Sequence, residues 1–114
     1  MNQMAINMTS KKIYKLYVEL SEAIIQAEKL DKDKTPSKES WLKVANLEFK
    51  LSQEIPVTEA EGRLARRGAV NAALTANDYD LAKRFAGIYL NEQGTDEHTV
   101  REINRSLRDY EIRT

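Results

Sequence analysis

The sequence predicts an all-α protein, and three observations support that fold class. Alanine, leucine, glutamate, lysine and arginine are abundant, whereas the chain has only four glycines and two prolines. Apolar residues recur at steps of three and four along most of the chain, which is the period of an amphipathic helix. Short turn-forming segments separate these stretches. We therefore expect a single-domain bundle of about five helices in an orthogonal or irregular arrangement.

Length and composition set the first limits on function. A chain of 114 residues has the length of one domain, and its 18 basic and 18 acidic residues cancel. No large field of one sign therefore draws the whole protein to nucleic acid or membrane. The chain has no cysteine, which excludes disulfides and thiolate catalysis and is typical of a reducing cytosol. No apolar run approaches the about 20 residues that cross a bilayer, so we expect a soluble cytoplasmic protein.

The first helix is predicted from residue 10 to about residue 30. Residues 1–9 have no apolar period, and we expect them to form a mobile tail ahead of a helical domain at 10–114. Ser10 is suited to cap the helix. Tyr14, Val18 and Ile25 form a thin apolar stripe away from the main apolar face. The stripe fits either a helix that is buried on two sides or a surface that binds a partner. The main face consists of Ile13, Leu16, Leu20, Ala23, Ala27 and Leu30.

The second helix is predicted from Pro36 to Glu54, with Pro56 just beyond its end. Its apolar arc covers more than half of the circumference, so we expect it to be the most buried helix. Glu48 lies near the middle of this arc. A buried carboxylate costs several kcal/mol unless it is paired or protonated. Glu48 therefore requires a partner, and if it belongs to a buried ion pair, Glu48→Ala should cost about 3 kcal/mol or more.

The sequence pattern of residues 59–90 predicts a helical hairpin. Thr58 and Glu61 have the spacing of a capping box, which places the start of the third helix at about residue 59. This helix runs to about residue 76, and its many alanines and glycines allow another helix to pack closely. Asn77 suits a left-handed turn, and Asp78 is placed to cap a fourth helix at 78–90. A last helix follows at 96–111 with a narrow apolar seam.

The segment Asn77-Asp78-Tyr79-Asp80-Leu81-Ala82 resembles the turn between the two helices of a tetratricopeptide repeat. In that family a Gly-Asp-Tyr-x-x-Ala pattern commonly follows an alanine-rich helix, and the resemblance here covers about 30 residues. The resemblance implies an antiparallel helical hairpin for this part of the chain. Hairpins of this kind often serve as binding modules.

Few side chains are suited to catalysis or to metal binding. The single histidine, His98, lies in a predicted first helical turn, where a solvated position is the simplest interpretation. A lone histidine with scattered carboxylates matches no metal-ligand spacing. The chain also lacks a glycine-rich phosphate loop and a nucleophile motif. We therefore predict that the protein is not an enzyme and needs no metal or cofactor.

The arginines are distributed unevenly. All eight follow residue 62, and Arg63, Arg66 and Arg67 stand together near the start of the third helix. Arg66 and Arg67 have no acidic residue one helical turn away. Three partners fit this cluster: Glu48, water, or a group on another molecule.

These patterns favour a small non-enzymatic interaction module, adaptor or inhibitor-like, that binds another protein through helix faces and can form a homodimer. Its candidate contact residues are Arg63, Arg66, Arg67, Tyr14, Val18 and Ile25. The alternative is a nucleic-acid-associated protein that uses the arginines of the second half of the chain. That surface adds Arg101, Arg105 and Arg108 of the last helix to the first three arginines.

Overall fold

The computed structural model describes the backbone of residues 3–114 and the side chains from residue 9 onward. In this part of the chain all regular structure is helical, as the sequence predicted. The five helices are α1 (Gln3–Lys32), α2 (Lys38–Glu54), α3 (Ala60–Thr75), α4 (Tyr79–Leu90) and α5 (Glu97–Arg113).

α1 begins earlier than the sequence predicted. Its backbone is helical from Gln3, well before the expected cap at Ser10. Residues 3–9 contain neither proline nor glycine, so the helix extends from its packed part at little cost per residue. The mobility expected for residues 1–9 stays a prediction. Residues 1 and 2 of this segment lie outside the described part of the chain.

Asp31 fixes the connection between α1 and α2. Its carboxylate accepts hydrogen bonds from Ser37 Oγ and from Trp41 Nε1, the latter at 2.9 Å. These two bonds hold the pKa of the Asp31 carboxyl below its usual value. Ser37 is the residue that precedes α2, so the helix begins slightly after the predicted start at Pro36. The hydrogen bond from Trp41 to Asp31 thereby joins the first turn of α2 to the end of α1.

The start of α3 corrects one prediction. Glu59 is the N-terminal cap residue and no side chain caps the helix, so the capping box of Thr58 and Glu61 is wrong. The Glu59 amide donates to the Pro56 carbonyl oxygen at 3.1 Å, which draws Thr58 into a turn before the cap. Gly62 packs directly against this turn, because a Cβ there would lie 1.9 Å from the Pro56 carbonyl oxygen. The tertiary position of Pro56 therefore overrides the local capping signal.

α3 and α4 form the predicted helical hairpin. Asn77 takes the left-handed conformation at φ 60°, and Asp78 Oδ1 accepts the Leu81 amide at 3.0 Å. α5 begins in the same way, with Asp96 Oδ1 accepting the Thr99 amide at 3.1 Å. Both helix starts agree with the prediction because these caps act within one turn and need no distant partner.

The helices pack as a series of neighbours. α1 packs mainly on α2, α2 packs on α3, and α3 contacts both α4 and α5, which also touch each other. One core cluster draws on all five helices, for example through Leu20, Ala45, Ala69, Phe85 and Ile103. The body measures 50 × 33 × 18 Å, so it is flat, and α1 forms one of its edges. None of the described helices combines the length and apolarity that a bilayer-spanning segment needs.

α3, and not α2, is the most buried helix. Seven of the 16 residues of α3 are buried, against five of the 17 in α2. The small side chains of α3 let α2, α4 and α5 pack around it, as short side chains permit close helix approach. On α2 the large side chains Trp41, Leu42 and Phe49 are only partly buried. The prediction for α2 was wrong because the width of an apolar arc does not reveal how many other helices will pack against it.

Candidate functional site

The outer face of α1 carries exposed apolar side chains. Tyr14 is 72% exposed, Val18 40% and Ile25 66%, and the neighbouring Tyr17 is 37% exposed. The residues of α1 that enter the core, among them Leu16, lie on the opposite side of the helix. No other helix of the described structure covers this stripe, because α2 packs against the opposite side of α1. The helix is therefore not buried on two sides.

Arg66 lies in the interior and pairs with a carboxylate that the sequence analysis did not name. Only 2% of Arg66 is exposed. Its Nε and Nη2 donate to Glu92 Oε1 and Oε2 at 2.7 and 2.8 Å, and its Nη1 donates to the carbonyl oxygens of Ile55 and Gly62 at 2.9 and 2.7 Å. This planar fork of donors fits a carboxylate and two carbonyls at once. Arg66 therefore links α3 to the end of α2 and to the turn after α4.

A second buried polar contact lies beside the Arg66 pair. Ser52 Oγ and the Tyr89 hydroxyl are 2.8 Å apart, and the Arg66 guanidinium lies 5.8 Å from the centre of the Tyr89 ring. Burial is the main reason that the pKa of Tyr89 is raised to about 12. Phe49 stacks on Phe85 with ring centres 4.8 Å apart and closes the apolar side of this region. Tyr89 thus stays neutral and acts as a hydrogen-bonded core residue.

A cavity of about 420 Å³ opens next to these residues. Its polar lining includes Arg66, Glu92, Ser52 and Tyr89, and each of these has a partner within the protein. These contacts already hold the four side chains in place. The chemistry of the cavity is therefore that of a structural polar cluster.

Glu48 is not paired with Arg63, Arg66 or Arg67 in the described structure. Its carboxylate lies over Gly68 of α3, where a Cβ would come within 1.7 Å of Glu48 Oε2. Burial raises the pKa of Glu48 to about 7. The missing side chain of Gly68 therefore makes room for this carboxyl group. Below about pH 7 a bound proton, in place of an arginine, compensates the desolvation of the group.

Glu48 and Arg67 nevertheless line the same small cavity. It has a volume of about 170 Å³ and is shared by α2, α3 and α5, with Glu102 and Ser106 on its far wall. The Nε of Arg67 is buried and has no hydrogen-bond partner in the described structure. A space of this size holds a few waters, and a buried N–H group of this kind is ordinarily satisfied by one.

Arg63 lies at the junction of α3 and α5. Its Nη1 donates to the carbonyl oxygens of Val57 and Thr58 at 3.3 and 2.9 Å, and its Nε is 4.0 Å from Asp96 Oδ2. The hydrogen bonds from Thr99 hold the pKa of the Asp96 carboxyl below its usual value, and the nearby Arg63 charge lowers it further. Arg63, Arg66 and Arg67 thus face three different surroundings and do not form one surface.

The arginines of α5 are exposed. Arg101, Arg105 and Arg108 share its outer side and line a shallow depression of about 520 Å³ together with Glu102 and Asp109. Arg105 Nη1 lies 3.9 Å from Glu102 Oε1, a weak exposed contact. This face therefore mixes both signs of charge.

The interior partner Glu92 could have been inferred from one signal. It follows the predicted fourth helix and has no basic residue three or four positions away, just as Arg66 has no nearby acidic residue. Two residues of opposite charge that lack a local partner and lie on neighbouring elements are candidates for an ion pair with each other. For the Ser52–Tyr89 contact the sequence offers only the position of Ser52, a polar residue one turn after Glu48 in the apolar arc of the second helix.

His98 is exposed, and among the side chains from residue 9 onward no group of three His, Cys, Asp or Glu could hold a metal ion. Comparison of the chain with protein-family models, with curated proteins and with solved structures gives no match.

Proposed function

We propose that this chain is a small non-enzymatic interaction module that binds another polypeptide through the outer face of α1. One observation carries the proposal: Tyr14, Val18 and Ile25 stand exposed along the helix, opposite its core face. Aligned apolar groups of this kind typically mark a contact site, because covering them removes apolar surface from water. An exposed helix with anchors at such spacing fits a groove or a second helix.

The arginine cluster contributes less to this proposal than the sequence suggested. Arg66 is committed to Glu92 and to two carbonyl oxygens, so it is not free for a partner. Arg63 already contacts two carbonyl oxygens. The binding surface we propose therefore consists of the α1 face, and the cluster serves the fold.

The non-enzymatic part of the proposal rests on the available chemistry. The chain has no cysteine and one histidine, and that histidine is exposed at the start of α5. The interior polar groups around Arg66 and Tyr89 satisfy each other. The cysteine-free composition also favours a reducing compartment, and we propose the cytoplasm.

Capture of partners with matched variants tests this proposal. The wild type, Ile25→Lys and the control Ile112→Lys would be used to retain polypeptides from the source cells and a differently tagged copy of the chain itself. Ile112 is also an exposed apolar residue, but it lies on α5. We expect binding to the wild type and to Ile112→Lys but not to Ile25→Lys. Retention of nothing by the wild type, or equal retention by Ile25→Lys, would overturn the proposal.

Nucleic-acid binding is the second candidate, and the exposed row of Arg101, Arg105 and Arg108 on α5 favours it. Binding through these three arginines should weaken with salt with a logarithmic slope of about −3, since each phosphate contact releases counterions. Arg105→Ala should weaken binding and reduce that slope by about one. A polarisation titration that shows no binding at low salt would remove this candidate.

A further inference from the structure

We propose that the polypeptide that covers the outer face of α1 is a second copy of this chain, paired antiparallel along α1. This inference rests on the proposed function, because it names the occupant of the same face. It follows from the pattern of exposed residues on α1, which is complementary to itself when the helix direction is reversed.

Six of the exposed residues of α1 recur at alternating steps of three and four. They are Lys11, Tyr14, Val18, Ser21, Ile25 and Glu28, and all are exposed. This is the spacing of the contact seam of a two-helix coiled coil. Because the seam lies opposite the face that packs on α2, another helix can approach it without displacing any element of the fold.

An antiparallel pair centred between Glu19 and Leu20 brings matching groups together. Tyr14 then faces Ile25 of the second copy, and Lys11 faces Glu28 of the second copy. By symmetry each contact occurs twice. Tyr14 and Ile25 thus cover each other, Val18 faces the small Ser21 of the second copy, and Lys11 and Glu28 close the two ends of the seam with opposite charges.

The borders of the seam agree with the same arrangement. Lys15 meets Glu22 of the second copy on one border, and Tyr17 meets Ile24 of the second copy on the other. Lys15 and Glu22 are exposed, while Tyr17 is 37% exposed and Ile24 is partly buried against the core. One border is therefore held by charge and the other by apolar contact.

Other arrangements of two α1 helices are less complementary. A parallel pair in register sets Lys11 against Lys11 and Glu28 against Glu28, and like charges at such positions repel. Shifting the antiparallel pair by one heptad sets Val18 against Glu28 in one direction and Lys11 against Ser21 in the other. Both shifts break the end charge pairs, so charge selects one register.

The length of the seam sets the expected strength. Residues 11–28 span about 26 Å of helix, and an interface of that length lies near the lower end of the range of about 1,200 to 2,000 Å² for specific complexes. We therefore expect a dissociation constant on the order of micromolar. Sedimentation equilibrium of the full chain over a wide concentration range should show a monomer–dimer equilibrium.

Charge exchange provides the most selective test. Lys11→Glu and Glu28→Lys should each weaken the dimer by about tenfold, because each single change places like charges together twice. The double variant Lys11→Glu/Glu28→Lys should restore the wild-type dissociation constant. Within one α1 these residues are about 25 Å apart, so restoration can arise only between copies. Ile25→Lys should abolish the dimer, whereas Ile112→Lys should leave it unchanged.

Cysteine cross-linking fixes the direction of pairing, since the chain has no native cysteine. A mixture of Tyr14→Cys and Ile25→Cys chains should form a mixed disulfide on oxidation. Each variant alone should not form a covalent dimer, because equal positions lie about 16 Å apart in the antiparallel pair. A covalent dimer of Tyr14→Cys alone would overturn the antiparallel arrangement.

The outcomes separate this inference from the proposed function. A chain that remains monomeric at all concentrations overturns the self-association, as does a dimer that survives Ile25→Lys. If such a monomer still binds a different polypeptide through the Ile25 face, the proposed function stands with another partner. If neither polypeptide nor second copy binds at this face, both fail.

Discussion

Arg66 and Glu92 form a bidentate ion pair that joins the interior of α3 to the turn after α4. The two N–H groups donate to the two carboxylate oxygens at 2.7 and 2.8 Å. The Nη1 amino group donates to the carbonyl oxygen of Ile55, just after α2, and to that of Gly62 in the first turn of α3. A single side chain therefore connects three segments that are distant in sequence.

Replacement of Arg66 by alanine should destabilise the fold strongly. The Ile55 carbonyl oxygen and the Glu92 carboxylate would lose the donors that Arg66 supplies, and the Gly62 carbonyl oxygen would keep only its helical partner, so we expect the free energy of unfolding to fall by about 3 kcal/mol or more. Urea denaturation measures this change. Arg84→Ala on the exposed side of α4 is the matched control and should stay within about 0.5 kcal/mol of the wild type. Similar small losses for both variants would show that the interior pair contributes little.

Glu48 and Gly68 should behave as a coupled pair. In the wild type, Gly68→Ala places a Cβ 1.7 Å from Glu48 Oε2, so the carboxylate must move and we expect a loss of about 1 kcal/mol. In a Glu48→Ala background the same change should stabilise the protein by up to about 1 kcal/mol, because alanine is the better helix former. A double-mutant cycle by chemical denaturation measures the coupling. The same sign of effect in both backgrounds would contradict the packing of Glu48 over Gly68.

Two other glycines should respond in opposite directions to alanine. At Gly62 a Cβ would lie 1.9 Å from the Pro56 carbonyl oxygen and 2.8 Å from that of Ile55, and both are backbone atoms that cannot move aside. We expect Gly62→Ala to cost about 3 kcal/mol. Among the described residues, a Cβ at Gly87 would meet nothing within 4 Å outside the adjoining part of its own helix, so Gly87→Ala should stabilise α4 by up to about 1 kcal/mol. The thermal denaturation midpoint should therefore fall for Gly62→Ala and rise for Gly87→Ala. Equal shifts for the two variants would show that the backbone of the turn before α3 moves to accommodate the new methyl group.

The stability of the protein should fall as the pH rises through the range in which Glu48 ionises. Burial raises the pKa of Glu48 from 4.5 to about 7, so between these values the folded state keeps a proton that the unfolded state has lost. The free energy of unfolding should therefore decrease from about pH 4.5 to about pH 7 and then level off. We expect a loss of about 2 kcal/mol, less than the full shift implies because the side chain is partly exposed.

The variant Glu48→Gln isolates this contribution from that of the other carboxylates. It lacks the ionisation, so its stability relative to the wild type should rise between pH 5 and pH 8, as measured by denaturation at fixed pH values. Parallel profiles for the two proteins would show that Glu48 does not titrate in this range. The expected ion pair of Glu48 with Arg63, Arg66 or Arg67 is absent from the described part of the chain, although Arg67 lines the same cavity.

Local signals explain why much of the fold could be predicted. Asp78 and Asp96 cap α4 and α5 through amides three residues away, and Asn77 turns the chain by its own backbone conformation. Such interactions need no distant partner, so sequence spacing is enough to locate them. The apolar period likewise identified the core face of α1.

The candidate site was only partly predictable for the opposite reason. The sequence identified the stripe of Tyr14, Val18 and Ile25 but left open whether another helix covers it. That depends on the order in which helices pack, and α1 contacts mainly α2. The partner of Arg66 also depends on this order, because Glu92 reaches it only after α4 folds back along α3.

The sequence alone therefore determined the all-α class, the number of helices and most of their ends, since helix period and caps are properties of neighbouring residues. The tertiary structure decided which charges meet and which apolar face stays open. Arg66 pairs with Glu92, the Glu48 carboxyl group packs over Gly68, and the outer face of α1 is exposed. Pairing and exposure depend on contacts between residues far apart in the chain, and no local pattern encodes the order in which five helices pack.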